Sequence, residues 1–274
     1  MPEFTPAPLA PFEGGNRNGV PLLLLHAFPL DHTMWQPQLD AGLPARVITP
    51  DLRGFGVSYF DDPASIEEHA KDVLAFMDDQ EIPRFVVGGL SMGGYIAMAV
   101  ARLAPERVLG LVLANTRATA DTEEARTGRD RTIARLEAEG INSLVETMPP
   151  RLLSPRTMET NPAVVAEVRR TIGSASPSGV INALRAMRDR PDASAGLRQV
   201  RVPTLVIAGE EDTFTPPEEA RRLADLVPGA ELVVIPGAAH LSNLENPEAF
   251  NAALERFLSN LQWRREGPAP RQPV

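Results

Sequence analysis

The sequence predicts an α/β fold: a mostly parallel sheet with helices on both faces and a helical segment inserted into it. Three observations carry that prediction: short apolar runs spaced along the chain, helical patterns between them, and one long stretch with no strand pattern. The runs cover residues 21–25, 46–49, 85–87, 108–114, 204–208 and 231–235. Each is short, continuous in apolar character and rich in Val, Leu or Ile, the composition of strands buried on both faces. Between them, 65–80 opens with a Ser-x-x-Glu capping box (Ser65, Glu68) and sets Ile66, Val73, Leu74 and Met77 on one side. The stretches 217–227 and 247–258 begin with proline, suited to a first helical turn. Strand–helix alternation of this kind implies parallel pairing.

From 117 to 196 the alternation stops. Arginine, glutamate and alanine dominate there, and Pro149, Pro150, Pro155, Pro162, Pro177 and Pro191 interrupt the segment. It reads as several short helices forming a cap over the carboxyl edge of the sheet. The expected organisation is a core of 1–116 and 197–261, a cap of 117–196, and a proline-rich, charged tail, 262–274, that reads as disordered.

The 274 residues suit one core with a sizeable insertion, and 43% hydrophobic with 23% charged residues is an ordinary globular balance. A net charge of −9 excludes a global basic field that would attract nucleic acid or anionic lipid. The absence of cysteine removes disulfides, thiolate nucleophiles and zinc–sulfur sites together. The proline-rich start lacks a basic region followed by an apolar one, so no signal peptide is expected. The longest uncharged stretch, 85–101, contains Ser91 and four glycines and suits a strand–turn–helix better than a membrane span. A cytoplasmic protein is expected, without membrane or nucleic-acid partners.

Gly89-Leu90-Ser91-Met92-Gly93 fits Gly-x-Ser-x-Gly, fed by an apolar strand and followed by an alanine-rich helix. A serine on so sharp a turn brings its second neighbours close, so both must lack bulk. Ser91 is therefore the expected nucleophile. A base is needed, and the chain has four histidines: His26, His32, His69 and His240. His69 falls in the helix from Ser65, on what reads as its solvated face. His26 and His32 lie on the segment after the first strand that should shape an oxyanion hole. His240 follows the last strand in the loop before the last helix, where a base can hang over the sheet end, and the order Ser…Asp…His singles it out. The acid belongs after the preceding strand, in GEEDTFTPPE. Asp212, at the apex of that loop, is chosen over Glu210 and Glu211, which read as solvated charges. The oxyanion donors expected are the backbone N–H of Met92, at a helix N-terminus, and that of Phe28, whose ring can also wall the site.

The segments LLLLHAFPLDHTMW, PDLRGFGVS, GLSMGG, GEEDTFTP and GAAHLSNLENPEAF, in this order, resemble the α/β-hydrolase superfamily over residues 20–258. Within it the chain most resembles carboxylesterases, perhydrolases and 3-oxoadipate enol-lactonase-like hydrolases. The resemblance implies the α/β-hydrolase fold, Ser91, Asp212 and His240 as triad, and Phe28 and Met92 as oxyanion donors. It also implies a structural role for the Asp-x-Arg-Gly loop, Asp51, Arg53 and Gly54. Two positions depart from the pattern: Ala27 replaces the more usual glycine, which would disfavour a positive φ there, and the stretch before Val20 is short for the N-terminal strand hairpin. Relatives that use aspartate as nucleophile, haloalkane dehalogenases and epoxide hydrolases, are excluded by Ser91. No metal-ligand spacing and no dinucleotide fingerprint stands in the sequence, so no cofactor and no metal are expected.

The leading expectation is hydrolysis of small to medium carboxylic esters through an acyl-enzyme. Phe28, Tyr95, Met148, Met158 and Met187 are the candidate substrate-pocket residues, although helical methionines more often fill gaps in a core. A lactonase acting on an anionic enol-lactone is the nearest alternative and needs a cationic pocket residue, for which the cap offers many arginines. A C–C bond hydrolase or a perhydrolase would use the same triad. A non-catalytic receptor on the same fold has no need for serine, base and acid together.

Overall fold

Every apolar run of the sequence becomes a strand of one sheet in the computed structural model, which describes residues 5–58 and 64–261. The strands are β1 (Glu13–Gly15), β2 (Val20–Leu25), β3 (Ala45–Ile48), β4 (Phe85–Leu90), β5 (Val108–Ala114), β6 (Thr204–Gly209) and β7 (Glu231–Ile235). Their order is β1-β3-β2-β4-β5-β6-β7; all neighbours pair parallel except β1, which runs antiparallel along β3. At three residues, two of them glycine, β1 is too short to show a period in sequence. It stands where the resemblance implies a strand hairpin. β4 is buried along its whole length, as a central parallel strand with helices on both faces must be.

The core helices are α1 (Gln36–Leu39), α2 (Ile66–Asp79) and α3 (Met92–Leu103). α2 carries the expected capping box, with Ser65 Oγ accepting from the Glu68 N–H and Glu68 accepting from the Ser65 N–H. Right-handed crossovers put α1 on one face of the sheet and α2 and α3 on the other. Between β5 and β6 lie α4 (Glu123–Glu139), α5 (Asn142–Thr147), α6 (Pro149–Leu152), α7 (Pro155–Thr160), α8 (Pro162–Ser174), α9 (Pro177–Arg188) and α10 (Ser194–Leu197). Four of the prolines that punctuate this insert start helices rather than break them, since a first-turn residue has no intrahelical acceptor for its N–H. The chain ends in α11 (Pro217–Leu226), α12 (Ser242–Glu245) and α13 (Pro247–Ser259). The expected tail, 262–274, lies outside the described residues, and no described helix is long and apolar enough to cross a membrane.

One expectation is overturned. His69 is buried, 3% exposed, and not on a solvated face. It sits with Ile66, Ala70, Val73 and Met77 in the stripe that α2 turns to the core, where its 3–4 spacing places it. Burial, with Arg53 and His26 adding to it, pushes its imidazole down to about 3, so it is neutral. The Asp-x-Arg-Gly loop is structural, as the resemblance implies. Arg53 donates Nε and Nη2 to both oxygens of buried Asp72 at 2.7 and 2.6 Å. Asp51 accepts from the N–H and Nδ1 of His32, each at 2.8 Å, and from the Val57 N–H.

Candidate active site

The carboxyl ends of β2, β4, β5, β6 and β7 deliver their loops to one edge, the usual ligand edge of a parallel sheet. Ser91 stands directly after β4 with φ 55 and ψ −111, a strained conformation for a residue with a Cβ. Its N–H donates to the Ala114 carbonyl at 2.9 Å, and its carbonyl accepts from Thr116 Oγ1 at 2.9 Å and the Tyr95 N–H at 3.2 Å. The turn closes because Gly89 and Gly93 touch: a Cβ on Gly89 would land on the Gly93 carbonyl carbon, and one on Gly93 on the Leu25 carbonyl. Glycine at these two positions is thus a steric requirement. Met92 opens α3, so its N–H points out of the helix with the positive end of the dipole behind it.

The loop after β2 is fixed by His26. This fully buried ring accepts the Leu52 N–H at Nε2, 3.0 Å, which leaves Nδ1 to donate to the Ala27 carbonyl, also 3.0 Å. Burial lowers its pKa, against the nearby Asp51 charge, and keeps the ring neutral. Ala27 is absent from the positive-φ residues, so the replacement of glycine costs no backbone strain there. Asp31, His32 and Asp51 form one compact donor set, but their oxygens already accept N–H and O–H groups of the chain, the arrangement of a loop brace.

Asp212 and His240 come together across the loops after β6 and β7. His240 Nδ1 donates to Asp212 Oδ2 at 2.8 Å, and both residues are buried. Asp212 accepts four further bonds: the Phe214 and Thr215 N–H on Oδ1, at 2.8 and 3.0 Å, and Thr215 Oγ1 and Asn115 Nδ2 on Oδ2, at 2.6 and 2.8 Å. Burial opposes its ionisation, but His240 and these donors outweigh burial and hold the carboxyl at about 2. Gly209 lets the loops meet, since a Cβ there would strike the carbonyls of Ala238 and Ala239. Ser91 Oγ makes no hydrogen bond to His240 among the described residues, a looseness common before substrate binds.

The other expected pocket residues are placed as follows. Phe28 meets Phe55 edge to face behind the loop that would supply its N–H. Met148 and Met158 are partly buried against the core, as gap-fillers are. Met187 is buried and touches Arg129 Nη1 through its sulfur, and Tyr95 lies under the Arg190 guanidinium at 4.0 Å. Tyr95 and Arg190 line a cavity of about 1050 Å3 between α3, the start of α2 and residues 182–202, and Ser91, Asp212 and His240 are not in its wall. Sequence reasoning missed Asn115 and Phe214, which donate to Asp212, Leu152, which accepts the His240 N–H, and Glu245, which accepts the Ala239 N–H.

Residues 22–253 match the model of the alpha/beta hydrolase family. The chain belongs to that family. Among curated relatives, the α/β-hydrolase is 29% identical to 3-oxoadipate enol-lactonase 1 of Acinetobacter baylyi, over 90% of this chain and 92% of that one. Among solved structures, it resembles a thermophilic esterase from Thermogutta terrifontis in a malate-bound form: TM-score 0.87, 41% identity, 92% and 93% of the two chains covered. It also resembles the enol-lactonase of Burkholderia xenovorans: TM-score 0.85, 31% identity, 92% and 96% covered. Fold and family agree with the sequence-based expectation, and a seven-stranded sheet with an inserted helical segment is what this α/β-hydrolase presents.

Proposed function

We propose that the protein is a serine hydrolase that cleaves carboxylic esters, lactones included, through an acyl-enzyme. The observation that carries this reading is the buried Asp212–His240 pair on the same sheet edge as a serine held at φ 55 on a strand-to-helix turn. In this mechanism Ser91 Oγ attacks the substrate carbonyl carbon as its proton passes to His240 Nε2. Asp212, ionised throughout, accepts Nδ1–H and stabilises the imidazolium without taking the proton. The N–H groups of Phe28 and Met92 receive the carbonyl oxygen as it becomes an oxyanion. His240 returns the proton to the departing alkoxide, and a water molecule activated by the same histidine then releases the acid and restores Ser91. The insert, residues 117–196, serves as a cap over this edge, with Phe28 as one wall of the pocket. The test is turnover of a p-nitrophenyl ester series by wild type and Ser91→Ala. Loss of turnover in the variant is expected, and equal rates in both proteins would remove the claim.

One contact favours a lactone or ester that carries its own carboxylate. Arg151 of α6 lies 4.5 Å over the ring of Phe214, which is itself 5.1 Å from the His240 ring. Arg151 has no carboxylate partner among the described residues. Arg151, exposed and one ring removed from His240, is a cation that can receive an anionic group of the substrate. The names of the enol-lactonase relatives and the malate in the Thermogutta esterase point the same way. Arg151→Ala is expected to raise KM for p-nitrophenyl hemisuccinate and leave p-nitrophenyl butyrate unchanged. Equal effects on both esters would dismiss the anionic preference.

A further inference from the structure

We infer that Asn115 is a positioning residue that sets the Asp212–His240 pair, with Ser242 holding the far end of its amide. The inference rests on the reading of Ser91, His240 and Asp212 as the reacting set and extends it to a residue outside every motif of the sequence.

Asn115 is the first residue beyond β5, one strand over from Ser91, and is 1% exposed. Its backbone is in the left-handed region, φ 46, which asparagine tolerates better than most residues but which still turns its side chain out of the strand alternation. The N–H is used by the Ile207 carbonyl of β6 at 2.8 Å. The side chain reaches across the strand ends, and Nδ2 donates twice: to Asp212 Oδ2 at 2.8 Å and to the Ala239 carbonyl at 3.2 Å. One amide group thus holds the acid and the residue next to the base.

An amide can turn over and present oxygen instead of nitrogen, and here that would set a lone pair against Asp212. Asp212 Oδ2 and the Ala239 carbonyl prevent it, because both can only accept and so demand the NH2 end. The buried Ser242 hydroxyl, which can donate or accept, turns its proton to the remaining Oδ1 at 2.6 Å and completes the amide's partners. Ser242 opens α12, two residues after His240, so the loop of His240 also carries a group that holds the amide. The circuit runs Ser242 to Asn115 to Asp212 to His240 and closes through the backbone. Three donors meet on Asp212 Oδ2, those of His240, Thr215 and Asn115, and Asn115 is the one from outside both loops.

The isosteric variant Asn115→Asp distinguishes positioning from packing. While the introduced carboxyl and Asp212 share a proton, the new group still donates to Asp212 and stands in for the amide. Once that proton leaves, two carboxylates face each other where 2.8 Å separated donor and acceptor. The other titratable groups near this circuit are His240 and, on α12, Glu245, which accepts the Ala239 N–H; Arg117, two residues on, is turned towards Tyr95 and Asp121. The kcat/KM profile of Asn115→Asp is therefore expected to gain a falling limb on its alkaline side that wild type lacks. Asn115→Ala is expected to lose about 10- to 100-fold in kcat at every pH, the usual worth of a hydrogen bond to a charged group, with KM little changed. Ser242→Ala should lose less and keep the wild-type profile.

A profile for Asn115→Asp parallel to wild type, or full kcat in Asn115→Ala, would overturn the inference. Should Asn115→Asp not fold, the low-field proton resonance of His240 Nδ1–H decides. It is expected to move in Asn115→Ala and stay unmoved if Asn115 only packs. Activity retained by Ser91→Ala would instead refute the underlying serine-hydrolase reading, whatever Asn115 does.

Discussion

The backbone N–H of His240 donates to the carbonyl of Leu152 at 3.1 Å, and the N–H of Leu241 shares the same acceptor at 3.2 Å. The helical insert thus touches the histidine loop through main chain, and Leu152 is the last residue of α6. Glu245 adds a second tie, accepting the Ala239 N–H on Oε1 at 2.8 Å and the Ser154 N–H on Oε2 at 2.7 Å. A helix terminus leaves its last carbonyls without intrahelical donors, and here the His240 loop supplies them for Leu152. The insert and the His240 loop are thus tied at two points.

Glu245→Ala is expected to loosen that tie. Two N–H groups lose a charged acceptor, which costs about 1–3 kcal/mol for a group left unsatisfied, or ~2–4 °C in Tm per kcal/mol at this chain length. The kinetic signature is a fall in kcat on neutral p-nitrophenyl esters at unchanged expression, because the histidine loop loses a fixed neighbour. Thermal melting and ester kinetics on the same preparation check it. An unchanged kcat with a lowered Tm would confine Glu245 to stability.

His69 predicts a pH effect on folding. Its unfolded value is 6.5 and its folded value about 3, so the folded form refuses a proton that the unfolded chain accepts. Above pH 6.5 neither state binds it and stability is unaffected. As pH falls below that unfolded value the unfolded state is favoured, by about 1.4 kcal/mol per pH unit, until the folded value is reached. His26, also lowered, acts with the same sign, whereas Asp212 loses stability only below its unfolded value of 3.8. Nδ1 of His69 has no partner among the described residues, so an apolar replacement forfeits no hydrogen bond there. His69→Leu is expected to fold and to lose less stability than wild type between about pH 6 and pH 4, measured by urea denaturation at each pH. Parallel curves would show that His69 is not neutral in the fold.

The contrast between Ser91 and Asn115 shows how much of the site sequence can carry. The serine turn is legible because its requirements are local: glycine two residues either side, a strand before and a helix after. Asp212 is legible for the same reason, since Gly209 and Pro216 frame its loop. Asn115 has no such frame. Its role comes from an acid 97 residues on and a hydroxyl 127 residues on, and only the sheet order makes them neighbours. His69 escapes sequence reading because α2 buries a wider stripe than its apolar residues alone define. Histidine and Asp72 share that stripe, and Asp72 is there for Arg53. Strand and helix positions are legible within a residue or two for β5, β7, α2, α11 and α13, where pattern and caps agree.

The Arg53–Asp72 pair ties the loop after β3 to α2, and the segment before β1 is tied to it in turn. Asp72 Oδ1 accepts the Ala7 N–H at 2.7 Å, and Arg53 Nη2 donates to the Thr5 carbonyl at 3.1 Å. Both side chains are buried, so removing one partner leaves the other charge inside without its counter-ion, a cost of about 3–5 kcal/mol. Asp72→Ala is expected to lower Tm by roughly 10 °C, and an Arg53→Met, Asp72→Leu double variant to recover part of the loss. A double variant less stable than the sum of the single ones would contradict the pair's assignment as a charge-compensating unit.

The root of the insert rests on Asp121. Its carboxylate, fully buried, accepts Arg190 Nη1 at 2.6 Å and Arg129 Nε at 2.5 Å, so the entry, α4 and exit of the insert meet on one residue. Arg190 also donates to the Met187 and Thr119 carbonyls, and its guanidinium covers the Tyr95 ring. Tyr95 in turn gives its N–H to the Ser91 carbonyl. The insert is therefore anchored a second time, through Tyr95, one helical turn from Ser91. Asp121→Asn keeps one acceptor oxygen and removes the charge, and is expected to lower Tm by several degrees, about 1–3 kcal/mol for a weakened charged hydrogen bond. Two separate anchors also predict what protease will see: limited trypsinolysis of Asp121→Asn should cut first at the arginines of α4, while α6 and α7, still held by Glu245 and Leu152, stay protected. Simultaneous cutting across the whole insert would mean that the two ends do not hold it independently.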